Sequence, residues 1–141
     1  MSVQDETQAR AVSPAELFKA LADETRLRIL NLLLHAGESV CVCEMVDALK
    51  LPQYQISRQL SILKRAEIVS VRKTGTWAYH AINADNEAFA AIREPMQELL
   101  KDGPFLADQA KLDQRLMLRE RGRCVVGFSD GPQAVTAGEW P

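Results

Sequence analysis

The sequence predicts a mainly α fold with one small β-hairpin, an α+β arrangement. Three observations predict it. Apolar residues recur at helical spacing from residue 17 to residue 63. Between residues 69 and 81 the period drops to two. Helical spacing then returns after residue 85.

The elements follow in order. Residues 1–12 are polar and are expected to form a flexible N-terminus. Ser13-Pro14 supplies an N-cap with proline at the first helical position, and Glu16 lies in the first turn. Leu17, Phe18 and Leu21 make the apolar face of this first helix. Asp23 caps a second helix, in which Leu27, Leu30 and Leu34 repeat at i, i+3 and i+7, and Gly37 closes it. A short third helix puts Val42, Met45, Val46 and Leu49 on one side and breaks at Lys50-Leu51-Pro52. The fourth runs from about Gln53 to Ala66 with Ile56, Leu60 and Leu63 inward. Val69 and Val71 then alternate with Ser70 and Arg72, Thr74-Gly75 makes a tight turn, and Trp77, Tyr79 and Ala81 alternate on the return. Asn83-Ala84-Asp85 opens a fifth helix with Phe89, Ile92, Met96 and Leu99 on one face; Pro95 inside it is expected to kink it. Asp102-Gly103-Pro104 is a break, and Leu106, Leu112 and Leu116 mark a last helix ending near Gly122. The chain therefore divides into the N-terminus at 1–12, a folded domain at 13–121 and a C-terminal tail at 122–141 that carries Cys124.

Composition narrows the function classes. The 141 residues are 47% apolar and 26% charged, ordinary values for one globular domain. The longest apolar run, around residues 27–34, is interrupted by Arg28 and Asn31, so no membrane span is expected. The N-terminus has no basic region followed by an apolar stretch. A cytoplasmic setting follows as the expectation, with thiols kept reduced. Three cysteines are an odd count and argue against a disulfide framework. Net charge is −2, yet residues 50–73 carry six bases against one acid, which is +5 locally and leaves −7 for the rest. A basic stretch on an acidic body suits a nucleic-acid face.

Two short helices joined by a few residues and followed by a β-hairpin give a winged helix-turn-helix. Its second helix must dock through one side and offer donors and acceptors from the other. Gln53, Tyr54, Gln55, Ser57, Arg58 and Gln59 meet that demand: Gln is bidentate to adenine, Arg to guanine, and Ser or Tyr binds phosphate. Arg72 and Lys73 at the hairpin tip would reach a flanking phosphate or the minor groove. Double-stranded operator DNA is the expected partner.

Cys41-Val42-Cys43 lies directly before this reading segment. Thiolates select soft, thiophilic ions. On a regular helix the two side chains would point about 200° apart. They could not grip one atom without unwinding the first turn, and that distortion would be passed to the reading helix. A thiol oxidoreductase is disfavoured, since no strand–helix redox motif surrounds the pair.

The stretch from Leu17 to Asn83 resembles the ArsR/SmtB family of metal-responsive repressors. Three runs carry the resemblance: LFKALADETRLRIL from Leu17, VCVCEM from Val40, and ISRQLSIL from Ile56. The middle run is similar to the arsenic-sensing signature of the ArsR branch, with Val46 where a third cysteine stands in its best-known members. Pro52 replaces the usual Ser-type cap, and Glu67 stands where Gly is common after the reading helix. The resemblance implies a homodimer built on the first and late helices, bound to an operator palindrome and released when its inducer binds. The thiols available are Cys41, Cys43 and Cys124, a count that favours a three-sulfur As(III) or Sb(III) site over four-ligand zinc. No histidine lies in residues 85–121, so the zinc site that relatives build on a late helix has no match. Another thiophilic ion, Cd(II) or Pb(II), and thiol oxidation through a Cys41–Cys43 disulfide are the competing signals for the same repressor.

Overall fold

Each helix starts where the sequence supplies a cap or a proline, and the caps are visible in the computed structural model, which describes residues 12–127. α1 (Pro14–Leu21) opens on a reciprocal capping box: Ser13 Oγ accepts from the Glu16 N–H and Glu16 Oε1 from the Ser13 N–H, both at 3.1 Å. Asp23 accepts from the Arg26 N–H to start α2 (Glu24–Ala36), and Gly37 ends it at φ +67°. β1 (Val40–Cys41) runs straight into α3 (Val42–Leu49). Lys50 to Pro52 then turn the chain into α4 (Gln53–Arg65). β2 (Val69–Thr74) and β3 (Trp77–Ile82) form the hairpin, followed by α5 (Glu87–Leu99) and α6 (Pro104–Leu116). Residues 1–11 of the expected flexible N-terminus at 1–12 and the tail beyond residue 127 lie outside the described residues.

The structure corrects the sequence reading of the elements at three places. α5 starts after Asn86, not at Asn83. The Asn83 side chain accepts from the Asp85 N–H at 3.0 Å and donates to the Glu67 carbonyl at 2.9 Å, which makes a turn rather than a helix cap. α6 stops at Leu116, well before Gly122, because Glu120 and Arg123 pair across a turn whose two central residues, Arg121 and Gly122, have φ of +55° and +74°. The third difference is β1. A two-residue strand is too short to show a period, yet it extends the hairpin to a three-stranded antiparallel sheet of order β1-β3-β2. In that register Cys41 pairs with Tyr79, and Tyr79 with Arg72, so these three side chains share one face.

The core is centred on α3, every residue of which is buried, including Glu44 and Asp47. Ile29, Leu33, Ile56, Leu63 and Phe89 pack around it from α2, α4 and α5. α6 is clamped onto α2 by a forked Arg28–Asp108 pair (2.7 and 2.9 Å) and by Asn31 donating to the Phe105 carbonyl at 2.9 Å. That clamp places the end of α6 over the start of α3.

Two stability predictions arise here. Glu67 has φ +63°, a left-handed conformation that costs a residue with a Cβ, while its carbonyl accepts from both Asn83 and Asn86. Glu67→Gly keeps those bonds and is expected to stabilise the fold by about 0.5–1 kcal/mol, read as a higher urea midpoint. A lower midpoint would show that the Glu67 side chain outweighs the backbone strain.

His80 is buried on β3, and burial, reinforced by the Lys64 charge, holds its imidazole down at about 4. Its folded pKa lies below the unfolded value, so its contribution is complete above the unfolded pKa and is lost as pH falls through the folded one. The loss between pH 7 and pH 4 is about 3 kcal/mol. NMR titration of the imidazole checks this; an inflection near 6.5 would refute it.

Candidate metal centre and nucleic-acid interface

Cys41 is the last residue of β1 and the residue that precedes α3. Its backbone is extended, with φ −75° and ψ 152°, and its N–H donates to Glu44 Oε1 at 2.9 Å. Cys43 lies in the first turn of α3. Cys124 arrives from the arm that follows α6. All three are buried, and their sulfurs lie within 4.8 Å of one another, with Cys43 Sγ and Cys124 Sγ 3.4 Å apart. This overturns the expectation that the pair Cys41/Cys43 sits on opposite sides of a helix and must unwind it. Pairing with Tyr79 keeps Cys41 in a strand, and the strand-to-helix corner turns both sulfurs to the same point. Among the described residues this is the only group of three or more Cys, His, Asp or Glu side chains arranged to hold an ion.

Charged groups from the end of α6 and the segment that follows it hold this corner. Arg119 forks onto Glu44 with two bonds of 2.8 Å, donates to the Ser39 carbonyl at 2.8 Å and lies 5.9 Å from the Tyr79 ring centroid. Arg115 pairs with buried Asp47 and donates to the Val126 and Gly127 carbonyls at 2.7 and 2.8 Å. The Tyr79 hydroxyl accepts from the Cys124 N–H at 3.1 Å. Arg115 therefore ties α3 to the arm, and Tyr79 ties the arm to the sheet. Sequence reading missed Arg115, Arg119, Glu44, Asp47 and Tyr79 as parts of the site. A signal existed: basic residues four apart, at 115 and 119, match acids three apart, at 44 and 47.

The three thiols do not ionise alike. Hydrogen bonds from Cys41 and Cys43, with the Arg115 charge adding to them, hold Cys124 down at about 3. The bond to Cys124, with burial and the nearby negative sulfur, pushes Cys43 up to about 12. Cys41 is raised for the same reasons. Cys124 is thus the most acidic of the three thiols, and Cys43 Sγ lies within hydrogen-bonding reach of it. Three sulfurs around one point suit an ion that takes three soft donors.

The nucleic-acid side is built on α4, which docks through Ile56, Leu60 and Leu63. Tyr54 is 69% exposed, and Arg58 is exposed beside it. Gln55 and Ser57 are half-buried, and Gln53 donates to Ser57 Oγ at 3.5 Å. Gln59 Oε1 accepts from Arg26 Nη1 at 2.6 Å, so this residue also fastens α4 to α2. Arg72 and Lys73 are exposed on the hairpin. Elsewhere, Phe18, Leu99, Leu106 and Met117 leave large apolar side chains in solvent, at 56%, 73%, 59% and 80% exposure. No described helix is long and apolar enough to cross a membrane.

Comparison with known proteins agrees with this architecture. Residues 23–71 match the family described as bacterial regulatory protein, arsR family. An uncharacterised helix-turn-helix transcriptional regulator of Methanocaldococcus jannaschii is 55% identical over 71 residues, covering 50% of this chain and 79% of that protein. The arsenical resistance operon repressor of Escherichia coli K12 is 44% identical over 78 residues, 55% of this chain and 66% of the repressor. An arsenic resistance transcriptional regulator of Pseudomonas putida is 36% identical over 100 residues, 70% of this chain and 84% of that one. Among solved structures, reduced HlyU from Vibrio cholerae superposes with a TM-score of 0.54 at 32% identity, covering 62% of this chain and 88% of that one. With a winged helix-turn-helix fold and relatives matched over most of their length, the chain belongs to the ArsR family of transcriptional regulators.

Proposed function

We propose that this regulator is a repressor that leaves its operator when As(III) or Sb(III) is captured by Cys41, Cys43 and Cys124. The observation that carries the reading is the buried three-sulfur cluster, with no fourth donor in the group among the described residues. That donor set fits a three-coordinate metalloid better than Cd(II) or Pb(II), which accept further ligands. Several curated relatives are named as arsenical repressors, which agrees with this choice. Arsenous acid would exchange its three hydroxyls for three sulfurs and release three waters. Each hydroxyl leaves as water with one proton, supplied by the thiol that replaces it or, for a sulfur already ionised, by solvent.

The sulfurs span two elements, the start of α3 and the arm tied to α6. Drawing them onto one atom pulls on α3, which packs directly against α4. Operator recognition falls to Gln53, Tyr54, Gln55, Ser57, Arg58 and Gln59 on α4 and to Arg72 and Lys73 on the wing. The unpartnered Phe18, Leu99, Leu106 and Met117 lie on or beside α1, α5 and α6, where a homodimer through the first and late helices would cover them. The working unit is the domain at 13–121 with the Cys124 arm from the 122–141 tail, acting in the cytoplasm where thiols stay reduced. A second reading, release by oxidation, is favoured by the 3.4 Å approach of Cys43 to Cys124 rather than by a Cys41–Cys43 bond.

A thiol titration under reductant separates the readings. One equivalent of arsenite is expected to take the reactive thiols from three per chain to none and to release a labelled operator duplex in the same titration. Retention of the duplex by fully arsenite-loaded protein would sink the proposal. Release by diamide alone would favour oxidation.

A further inference from the structure

We propose that the cleft between the wing and the Glu120–Arg123 turn is a phosphate-binding site, filled by a backbone phosphate of operator DNA, that fastens the Cys124 arm to the operator. The cleft encloses about 410 Å³, and four guanidinium groups line it, from Arg72, Arg119, Arg121 and Arg123. Among the described residues the only carboxylate in the lining is Glu38, and Tyr79 forms part of the wall. Arg119 is committed to Glu44, Glu38 and the Ser39 carbonyl, and Arg72 lies over the Tyr79 ring. Arg121 and Arg123 are exposed and have no side-chain partner among the described residues. Guanidinium forks match phosphate oxygens, so two free ones beside two fixed ones suit an oxyanion.

The arm presents them in a fixed way. The Glu120 N–H donates to the Arg123 carbonyl at 2.9 Å and the Arg123 N–H to the Glu120 carbonyl at 3.0 Å, closing a tight turn. The next residue is Cys124, held on Tyr79. On the other wall the lining continues onto β2 at Arg72 and Thr74, toward the hairpin tip. A phosphate in this cleft would therefore touch both the wing and the segment that supplies a sulfur. Operator and metalloid would then compete for the same arm, a coupling that must act equally in both directions. This inference rests on the operator-binding reading.

The test is the salt dependence of operator binding, measured by fluorescence anisotropy between about 0.1 and 0.4 M KCl. One phosphate neutralised per protomer contributes about 0.9 to the slope of log K against log salt, so about 1.8 for a dimer. Arg121→Gln/Arg123→Gln is expected to flatten the slope by about that much while keeping three arsenite-reactive thiols. Arg121→Gly gives a second variant free of folding doubt, because glycine suits the φ of +55°; it should flatten the slope in the same direction. Slopes equal to that of the wild type overturn the proposal. If inorganic phosphate then still binds the DNA-free wild type saturably and not the double variant, the cleft serves a free oxyanion instead. A wild type that binds no operator overturns the operator reading and the cleft assignment together, whereas an unchanged slope in a wild type that binds overturns the cleft alone.

Discussion

Cys43→Ser is expected to hold operator DNA as tightly as the wild type and to ignore arsenite. Cys43 is buried in the first turn of α3, and its sulfur bonds to Cys124 Sγ and the Val126 carbonyl beside Cys41, so a serine hydroxyl keeps its place without disturbing α4. The loss falls on chemistry: two sulfurs remain, and a hydroxyl is a poor ligand for a thiophilic ion. Couplings between an effector site and a DNA site usually amount to a factor of about 5–150 in affinity. In the wild type arsenite should weaken operator binding by a factor in that range, and in Cys43→Ser by a factor near one. Anisotropy titrations of both proteins against one operator duplex, with and without arsenite, check this. A variant still released by arsenite would remove Cys43 from the inducer site and leave the remaining pair as the only candidate ligands.

The sequence made the helices and the hairpin readable because each carries its own local signal. Ser13 with Glu16, Asp23, Gly37 and the period-two run from Val69 are all short-range features, and the structure uses each of them. The candidate site was readable as a set of residue types, since three cysteines admit few combinations. Its geometry was not readable. Cys41 leaves the helix because a two-residue strand pairs it with Tyr79, a partner 38 positions away that no local pattern announces. The Cys124 arm is placed by Arg115 and Tyr79, again through long-range bonds. Burial of Glu44 and Asp47 was equally hidden, because two acids in a short helix read as a solvated face until Arg115 of α6 and Arg119 just beyond it are found above them. The sequence-based mechanism assumed unwinding of α3, and it failed for this one reason: the corner that brings the sulfurs together is tertiary.

Arg115→Met separates the structural and functional duties of that corner. Arg115 and Asp47 are both buried, so removing the cation strands a carboxylate, and the fold is expected to lose about 3–5 kcal/mol. The companion variant Asp47→Leu/Arg115→Met removes both charges at once. Buried pairs replaced together by apolar groups are often neutral or better, so urea unfolding should recover most of the loss. Inducer response should not recover with it. The bonds from Arg115 to the Val126 and Gly127 carbonyls are absent in both variants, and these bonds set where Cys124 lies. Groups that orient a metal ligand without binding the metal commonly change affinity by about 10–100-fold. The double variant is therefore expected to be stable, to bind operator normally and to need about 10–100 times more arsenite for release. Release at the wild-type arsenite concentration would mean that the arm finds the other two sulfurs unaided, and would reduce Arg115 to a purely structural residue.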